Sequence, residues 1–169
     1  MNDAPTPNRH DPHVGVVPLE TIAEEGGLKV MQGILEGRLP GAALVRTLNM
    51  TLARVEEGVV EFRGTPTVDH LNPIGTIHGG WAATIMDSAL ACAVMTTLAP
   101  GEAYTTVEFK VNLTRPILPS TGEVSCEGRV VHRGRTIATS EAFLRDASGK
   151  LLAHGTETCA IFPIASVRR

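Results

Sequence analysis

The chain of 169 residues has little of what metal, redox and nucleic-acid-binding sites are usually made from. Its three cysteines, Cys92, Cys126 and Cys159, lie far apart and form no Cys-x-x-Cys pair. We therefore predict no metal site and no redox pair, only small apolar side chains in a reducing compartment. The formal net charge is −3 and no long basic run is present, which argues against a nucleic-acid partner.

Membrane signals are missing as well. The first thirty residues contain no apolar signal core. One apolar run, residues 81–99, approaches the length of a membrane span, but Asp87 and several Thr and Ser side chains interrupt it. We expect a cytoplasmic protein with no membrane partner.

The length fits one domain with a sizeable core. Residues 1–18 hold four prolines among polar residues and are predicted to be a disordered tail. Residues 19–42 are predicted to form an N-terminal segment of one or two short helices, broken at Gly26-Gly27. Residues 43–162 are predicted to form the folded domain, and residues 163–169 a C-terminal tail.

A long buried helix is predicted from Trp81 to Ala99, after the pair Gly79-Gly80. The run is rich in Ala, Leu and Met, and Pro100-Gly101 ends it. Because it is apolar nearly all round, we expect it to be buried. Its one charged side chain, Asp87, would cost several kcal/mol if buried alone, so it either hydrogen-bonds a neighbouring loop or serves as a catalytic base.

Period-two alternation of apolar and polar residues predicts six strands, over residues 44–52, 59–62, 105–113, 124–130, 135–145 and 151–162. Turn residues at 56–58, 133–134 and 146–149 join neighbouring strands as hairpins. An antiparallel sheet with one apolar face must cover that face, and the long helix can do so. The sequence therefore predicts an α+β fold.

The segment before the helix reads Asn72-Pro-x-Gly75-x-x-His78-Gly79-Gly80. The first N–H groups of a helix have no partners within it and lie at the positive end of its dipole, so they can bind an oxygen as it becomes negative. This motif followed by Asp87 resembles the hot-dog-fold acyl-CoA thioesterases of the PaaI-like (phenylacetyl-CoA and 4-hydroxybenzoyl-CoA thioesterase) family. The resemblance covers roughly residues 43–162, including the strand before Pro116 and the segment 131–135.

The resemblance implies a hot-dog fold, in which an antiparallel six-stranded sheet wraps around one long central helix. It implies hydrolysis of a small aryl or a short or medium acyl-CoA, with no cofactor beyond the coenzyme A of the substrate. The Gly79 N–H would be the oxyanion hole, and Asp87 would be the general base or a nucleophile that forms an anhydride. The family's base reaches the thioester from the facing subunit, so a homodimer is expected, and a dimer of dimers, that is a homotetramer.

Three further residues match catalytic positions of the family. Asn72 would orient the carbonyl or the water, although an amide before Pro73 can equally be a turn residue. His78 would shape the loop by hydrogen bonding more than transfer protons. Thr106 would hold the attacking water, or be an ordinary polar strand residue.

Other residues are candidates for binding the substrate. Guanidinium groups bind phosphates, so the turn Arg133-Gly134-Arg135 is a candidate for the phosphates of coenzyme A, and Arg115 a weaker one. The turn can also be merely solvated. Gly80 and Trp81 would lie beside the acyl pocket, but Trp81 can instead pack in the core.

Two other functions fit the same fold. A non-catalytic acyl-CoA-binding or regulatory protein needs the pocket but not Asp87. A hydratase or dehydratase acting on acyl thioesters needs no acid at this helix position. Release of free thiol distinguishes a hydrolase from both.

Overall fold

The computed structural model describes residues 13–167, so most of the predicted tail 1–18 and the final residues 168–169 lie outside the described part. Within this described part, the four α-helices are α1 Leu19–Glu25, α2 Gly27–Leu35, α3 Leu44–Thr47 and α4 Gly79–Met95. The six strands are β1 Met50–Glu56, β2 Val59–Gly64, β3 Glu102–Leu113, β4 Val124–Arg133, β5 Ile137–Asp146 and β6 Leu151–Pro163. Three short 3₁₀ helices cover Val68–His70, Pro119–Thr121 and Ile164–Ser166.

The strands form one antiparallel sheet in the order β1-β2-β4-β5-β6-β3, and α4 packs across it against β2 to β6. The predicted α+β fold is therefore confirmed. The pairs β1-β2, β4-β5 and β5-β6 are hairpins, whereas β3, which follows α4, pairs with β6 at the far edge, and β4 pairs with β2. The two sheet edges are β1 and β3.

The core lies between α4 and the concave face of the sheet. Its apolar side chains come from the helix and from the inward positions of the strands, and the largest fully buried ones include Ile85, Met86, Leu90, Val60 and Leu144. Close approach of helix and sheet depends on Gly128 in β4, because a Cβ there would lie 2.2 Å from the carbonyl oxygen of Ala89. The helix is therefore buried on most of its surface, as its composition predicts.

The N-terminal segment docks on the end of α4. Its two short helices break at Gly26-Gly27, as predicted. The Gly27 N–H donates to the carbonyl of Leu98 at 3.0 Å, and a Cβ on Gly27 would lie 1.7 Å from the carbonyl oxygen of Met95. The break is thus also a contact point that only glycine permits.

The predicted strand over residues 44–52 is wrong in its first half. Residues Leu44–Thr47 form α3, and β1 begins at Met50. Between them Asn49 adopts a left-handed conformation with φ 49°, which ends the helical turn. Its side-chain Nδ2 donates to the carbonyl of Thr65, so a contact with a distant residue overrides the short local alternation.

Helix α4 is shorter at its C-terminus than the sequence predicts. It ends at Met95, and the hydroxyl of Thr96 donates to the carbonyl of Ala93 while accepting from the Gly58 N–H. These side-chain bonds satisfy backbone groups at the helix end. Among residues 13–167, no helix combines the length and hydropathy needed to cross a membrane.

Candidate active site

The start of α4 carries one uncommitted backbone donor. His78 is the N-cap residue, and its Nδ1 accepts from the Gly80 N–H at 2.9 Å. The Trp81 N–H donates to the His78 carbonyl at 2.9 Å. Within the described residues the Gly79 N–H has no acceptor. It therefore remains available, at the positive end of the dipole, for an oxygen of a bound molecule.

His78 is held in one tautomer by this cap. A ring nitrogen that accepts a hydrogen bond carries no proton, so the neutral His78 has its proton on Nε2. The His78 backbone N–H donates to the carbonyl of His70 at 2.8 Å, which ties the helix start to the preceding loop. The histidine thus shapes the site through its hydrogen bonds.

Asn72 builds the loop beside the helix start. Its Oδ1 accepts from the N–H groups of Ile74 and Thr76, and its Nδ2 donates to Thr76 Oγ1 at 2.7 Å. Gly75 has a φ of 87°, which closes this turn. Asn72 is therefore a turn residue, and one of its two amide protons remains for another acceptor.

A pocket of ≈ 310 Å³ lies in front of this loop and the helix start. It brings together Asn72, Gly79 and Arg115, which are all sequence-predicted site residues. Its remaining lining is largely apolar or small, from Thr76, Ile77, Ala82, Leu113, Thr114, Pro116 and Ile117. We call Asn72 and Gly79 the oxyanion group, after the role that the sequence analysis predicts for them.

Asp87 lies further along α4, half-buried. It makes no hydrogen bond or ion pair with the residues that the structure describes, so it has no loop-capping contact there. Burial raises the pKa of the Asp87 carboxyl above its usual value. An uncommitted carboxylate with a raised pKa has the properties of a general base.

Beneath Asp87 the sheet contributes Thr106 and a carboxylate that the sequence analysis missed. The Thr106 hydroxyl donates to Glu157 Oε1 at 2.8 Å. Glu157 is only 1% exposed. We call Asp87, Thr106 and Glu157 the acid group. The sequence contained a signal for Glu157. It shares the inward face of β6 with residues that are all uncharged, Ala153, Gly155, Cys159 and Ile161.

The cysteines near the acid group are poorly suited to act as nucleophiles. Burial raises the pKa of Cys92 to about 12, and the nearby carboxylate Asp87 adds to that shift. Burial also raises the pKa of Cys159, whose thiol donates to Glu157 Oε1 at 3.1 Å. Because the reactive form is the thiolate, a raised pKa makes these side chains poor nucleophiles.

One chain does not bring the two groups together. Asp87 lies eight residues after Gly79 on the same helix. At 1.5 Å per residue that separates them by about 12 Å along the axis, which exceeds the reach from an oxyanion to the base acting on its carbon. The oxyanion group and the acid group of one chain therefore belong to different sites.

Comparison with known proteins decides the family. Residues 74–153 match the sequence profile of the Thioesterase superfamily. Human acyl-coenzyme A thioesterase 13 is 34% identical over 113 residues, which cover 64% of this chain and 77% of that protein. The chain belongs to the thioesterase superfamily. As a member of that superfamily, it is a thioester hydrolase.

Solved structures agree with this assignment. A phenylacetic acid degradation-related protein of Ralstonia eutropha is 28% identical, with a TM-score of 0.71 over 78% of this chain and 98% of that one. The Escherichia coli PaaI protein superposes with a TM-score of 0.70 over 83% of this chain and 96% of its own. At 18% identity, PaaI supports the fold alone, and with it the predicted hot-dog architecture is confirmed.

The predicted arginine turn of the thioesterase needs a correction. Arg133 is not a free cation, because its Nη2 pairs with Glu102 at 2.5 Å and its Nη1 donates to the Gly134 carbonyl. Glu102 also accepts from the Ala99 N–H, so this pair anchors the hairpin at the C-terminal end of α4. Arg135 is exposed and has no partner among residues 13–167. The turn lies far from the oxyanion group of its own chain.

Trp81 and Gly80 do not line the pocket of the thioesterase. Trp81 is buried in the core, and its indole N–H donates to the Leu48 carbonyl at 2.9 Å. Gly80 is exposed, and the ring of His78 is its only close neighbour within the described residues. The sequence analysis predicted both beside the pocket because they follow Gly79 in the chain. Successive helix residues, however, point in directions about 100° apart.

Proposed function

We propose that this thioesterase hydrolyses a small aryl or a short or medium acyl-CoA to the free acid and coenzyme A. The observation that carries the proposal is the unpaired Gly79 N–H at the wall of a pocket with both polar and apolar lining. The thioester oxygen would accept from this N–H and from the remaining proton of the Asn72 amide. The pocket volume of ≈ 310 Å³ is at the small end of ligand pockets, which favours a small acyl group.

Asp87 supplies the other half of the chemistry in this proposal. As a general base it takes a proton from water while the water oxygen attacks the thioester carbon. As a nucleophile it attacks the carbon itself and forms an anhydride that water then opens. In both routes the carbonyl oxygen becomes negative at Gly79 and the coenzyme A thiolate leaves.

The proposed site requires a second copy of the chain. β3 is an edge strand, and its central segment exposes the apolar side chains of Val107 and Phe109. Antiparallel pairing of two copies through this segment would bring the Leu113 end of one β3 alongside the Thr106 segment of the other. The oxyanion group of one copy would then face the acid group of its partner. We propose a homodimer on this ground, and the dimer of dimers stays a prediction.

The phosphates of coenzyme A would lie at the mouth of the pocket. Arg115 lines both the pocket and an adjoining surface cleft that also contains Lys150. These two cations are better placed beside the oxyanion group than the turn at 133–135 of the same chain. Arg135 remains a candidate, but from the second copy of the chain. The copy that supplies the acid group would also supply its own turn at 133–135.

Thiol release from a panel of acyl-CoA substrates tests the proposal. Phenylacetyl, 4-hydroxybenzoyl, acetyl, hexanoyl and palmitoyl thioesters should separate small from long acyl groups, with hydrolysis favouring the small ones. Asp87→Asn should lower kcat by about 10²–10⁴-fold and leave substrate binding largely intact. Asp69→Asn, which changes an exposed acid, is the matched control. Near-parental turnover by Asp87→Asn would remove the base assignment, and binding without thiol release would favour a non-catalytic acyl-CoA-binding protein.

A further inference from the structure

Glu157 is a buried carboxylate with a defined hydrogen-bond pattern. Oε1 accepts from the Thr106 hydroxyl at 2.8 Å and from the Cys159 thiol at 3.1 Å. Oε2 is buried and has no partner in the described part of the chain. Ser140 lies directly opposite on β5, and its buried hydroxyl oxygen also lacks a partner there. An acid in this position demands an explanation, because buried charge is costly and buried polar atoms are normally paired.

The fold does not need an acid at position 157. The inward residues on either side of it in β6, Gly155 and Cys159, are small and uncharged. Along β6, Glu157 lies between Ala153, which belongs to the main apolar cluster, and Cys159, which belongs to a smaller cluster around Val94. An apolar side chain of similar volume would join the two clusters and would usually be at least as stable.

The bond to Glu157 determines what the Thr106 hydroxyl can do. A hydroxyl has one proton to donate and lone pairs that accept. Its proton is directed at Oε1, so the remaining side of Thr106 Oγ1 can only accept. A water molecule next to it must then donate one proton to Thr106 and can donate the other to Asp87, which leaves its lone pairs free.

We propose that Glu157 is a positioning residue for hydrolysis, which holds the Thr106 hydroxyl as an acceptor so that the attacking water keeps a lone pair directed at the thioester carbon. This inference rests on the proposed roles of Asp87 and Thr106. Without Glu157, the hydroxyl would be free to donate to the water or to Asp87. Either bond would use an electron pair that the reaction needs.

The arrangement works in either protonation state of Glu157. Burial raises its pKa, with smaller contributions from Asp87 and Glu108, while the bonds from Cys159 and Thr106 oppose the shift. When Glu157 is ionised, or protonated on Oε2, Oε1 still accepts from Thr106. Glutamine also offers an acceptor at that place, whereas methionine fills a similar volume without one.

Steady-state kinetics of four variants test the proposal on the full-length protein. We expect Glu157→Gln to keep kcat within about threefold of the parent and Glu157→Met to lower it about tenfold with KM nearly unchanged. Thr106→Val should lower kcat similarly, and adding Glu157→Met to it should cause no further loss, because both changes remove the same bond. Ser140→Ala, which removes the hydroxyl opposite Glu157 without contacting Thr106, should keep parental turnover.

Two outcomes would overturn the proposal. Parental kcat in Glu157→Met is one, and losses that multiply in the double variant are the other, since the second would show that Glu157 acts independently of Thr106. If Glu157→Met does not fold, Glu157→Asp replaces it, because it keeps the acid and withdraws the oxygen by about one bond length, roughly 1.5 Å. When Glu157→Asp is added to Thr106→Val, it must likewise cause no further loss of kcat.

Asp87→Asn, measured in parallel, distinguishes the failure of this inference from that of the proposed function. If Asp87→Asn is impaired and the Glu157 variants show no coupling to Thr106, only the positioning role is wrong. If Asp87→Asn hydrolyses at the parental rate, the proposed function and the role of Glu157 fall together.

Discussion

Comparison of Gly79→Pro with Gly79→Ala isolates the contribution of a single backbone N–H to catalysis. Both residues add a Cβ, which would lie 2.8 Å from Leu113 Cδ1, but only proline removes the N–H. Gly79 is the first helical residue, where proline is favoured because that N–H has no helical partner. His78 already has φ −59° and ψ 134°, the extended conformation that a residue before proline requires. The pair therefore shares the added Cβ and differs in the donor, whose hydrogen the proline Cδ replaces.

The magnitudes follow from these contacts. Relief of the contact with Leu113 needs only a small rotation of a side-chain end, at a cost of about 0.5–1.5 kcal/mol in both variants. For a chain of this length that lowers Tm by about 2–4 °C per kcal/mol. Loss of one oxyanion donor is typically worth about 2.7–4 kcal/mol in the transition state. We expect Gly79→Pro to be slower than Gly79→Ala by about 10²–10³-fold in kcat, at nearly equal Tm.

Thiol release and thermal unfolding of the two variants provide the measurement. Leu113→Ala, added to each, removes the contact and should restore stability while leaving the gap in kcat between proline and alanine. Gly80→Ala is not a suitable packing control, because Gly80 is exposed and its N–H belongs to the His78 cap. Turnover by Gly79→Pro within about threefold of Gly79→Ala would refute the oxyanion assignment.

Further predictions concern the arginine turn, Asp87 and Gly128. Arg133→Ala should lower Tm, because it breaks a half-buried ion pair with Glu102. Arg135→Ala should instead raise KM for acyl-CoA but leave KM unchanged for a short thioester without the nucleotide. Equal KM changes on both substrates would contradict the role of Arg135. Because burial raises the folded-state pKa of Asp87, its contribution to stability is present at low pH and is lost as pH rises through that pKa, so Asp87→Asn should raise Tm at neutral pH but not in acid. The same shift should place the acid limb of the kcat/KM profile above the usual carboxylate range, and a limb at the ordinary aspartate value would argue against Asp87. Gly128→Ala should lower stability by about 1–3 kcal/mol or more in denaturant unfolding, because its Cβ would lie 2.2 Å from the Ala89 carbonyl oxygen; unchanged stability would show that α4 can shift freely.

Local sequence patterns were sufficient for most of the fold. Five of the six strands and the long helix follow from alternation and composition, because these segments have one or two buried faces along their whole length. The strand at 44–52 was half wrong because a few alternating residues do not outweigh a turn stabilised by Asn49 and Thr65. The helix start was readable for a similar reason, since Asn72, His78 and Gly79 act within a short stretch of chain.

The sequence by itself determined the family motif, the buried helix with its lone acid and the six-stranded sheet, because each depends on residues close together in the chain. Tertiary structure alone decided which of the predicted polar groups are free. Arg133 is neutralised by Glu102 across 31 residues, and Thr106 is bonded to Glu157 across 51 residues. Such pairs depend on strand register and on the path of the chain around α4, which alternation does not encode. The distance between Gly79 and Asp87, about 12 Å along the axis, is likewise a property of the folded helix. It is the reason that one chain alone cannot complete the proposed site.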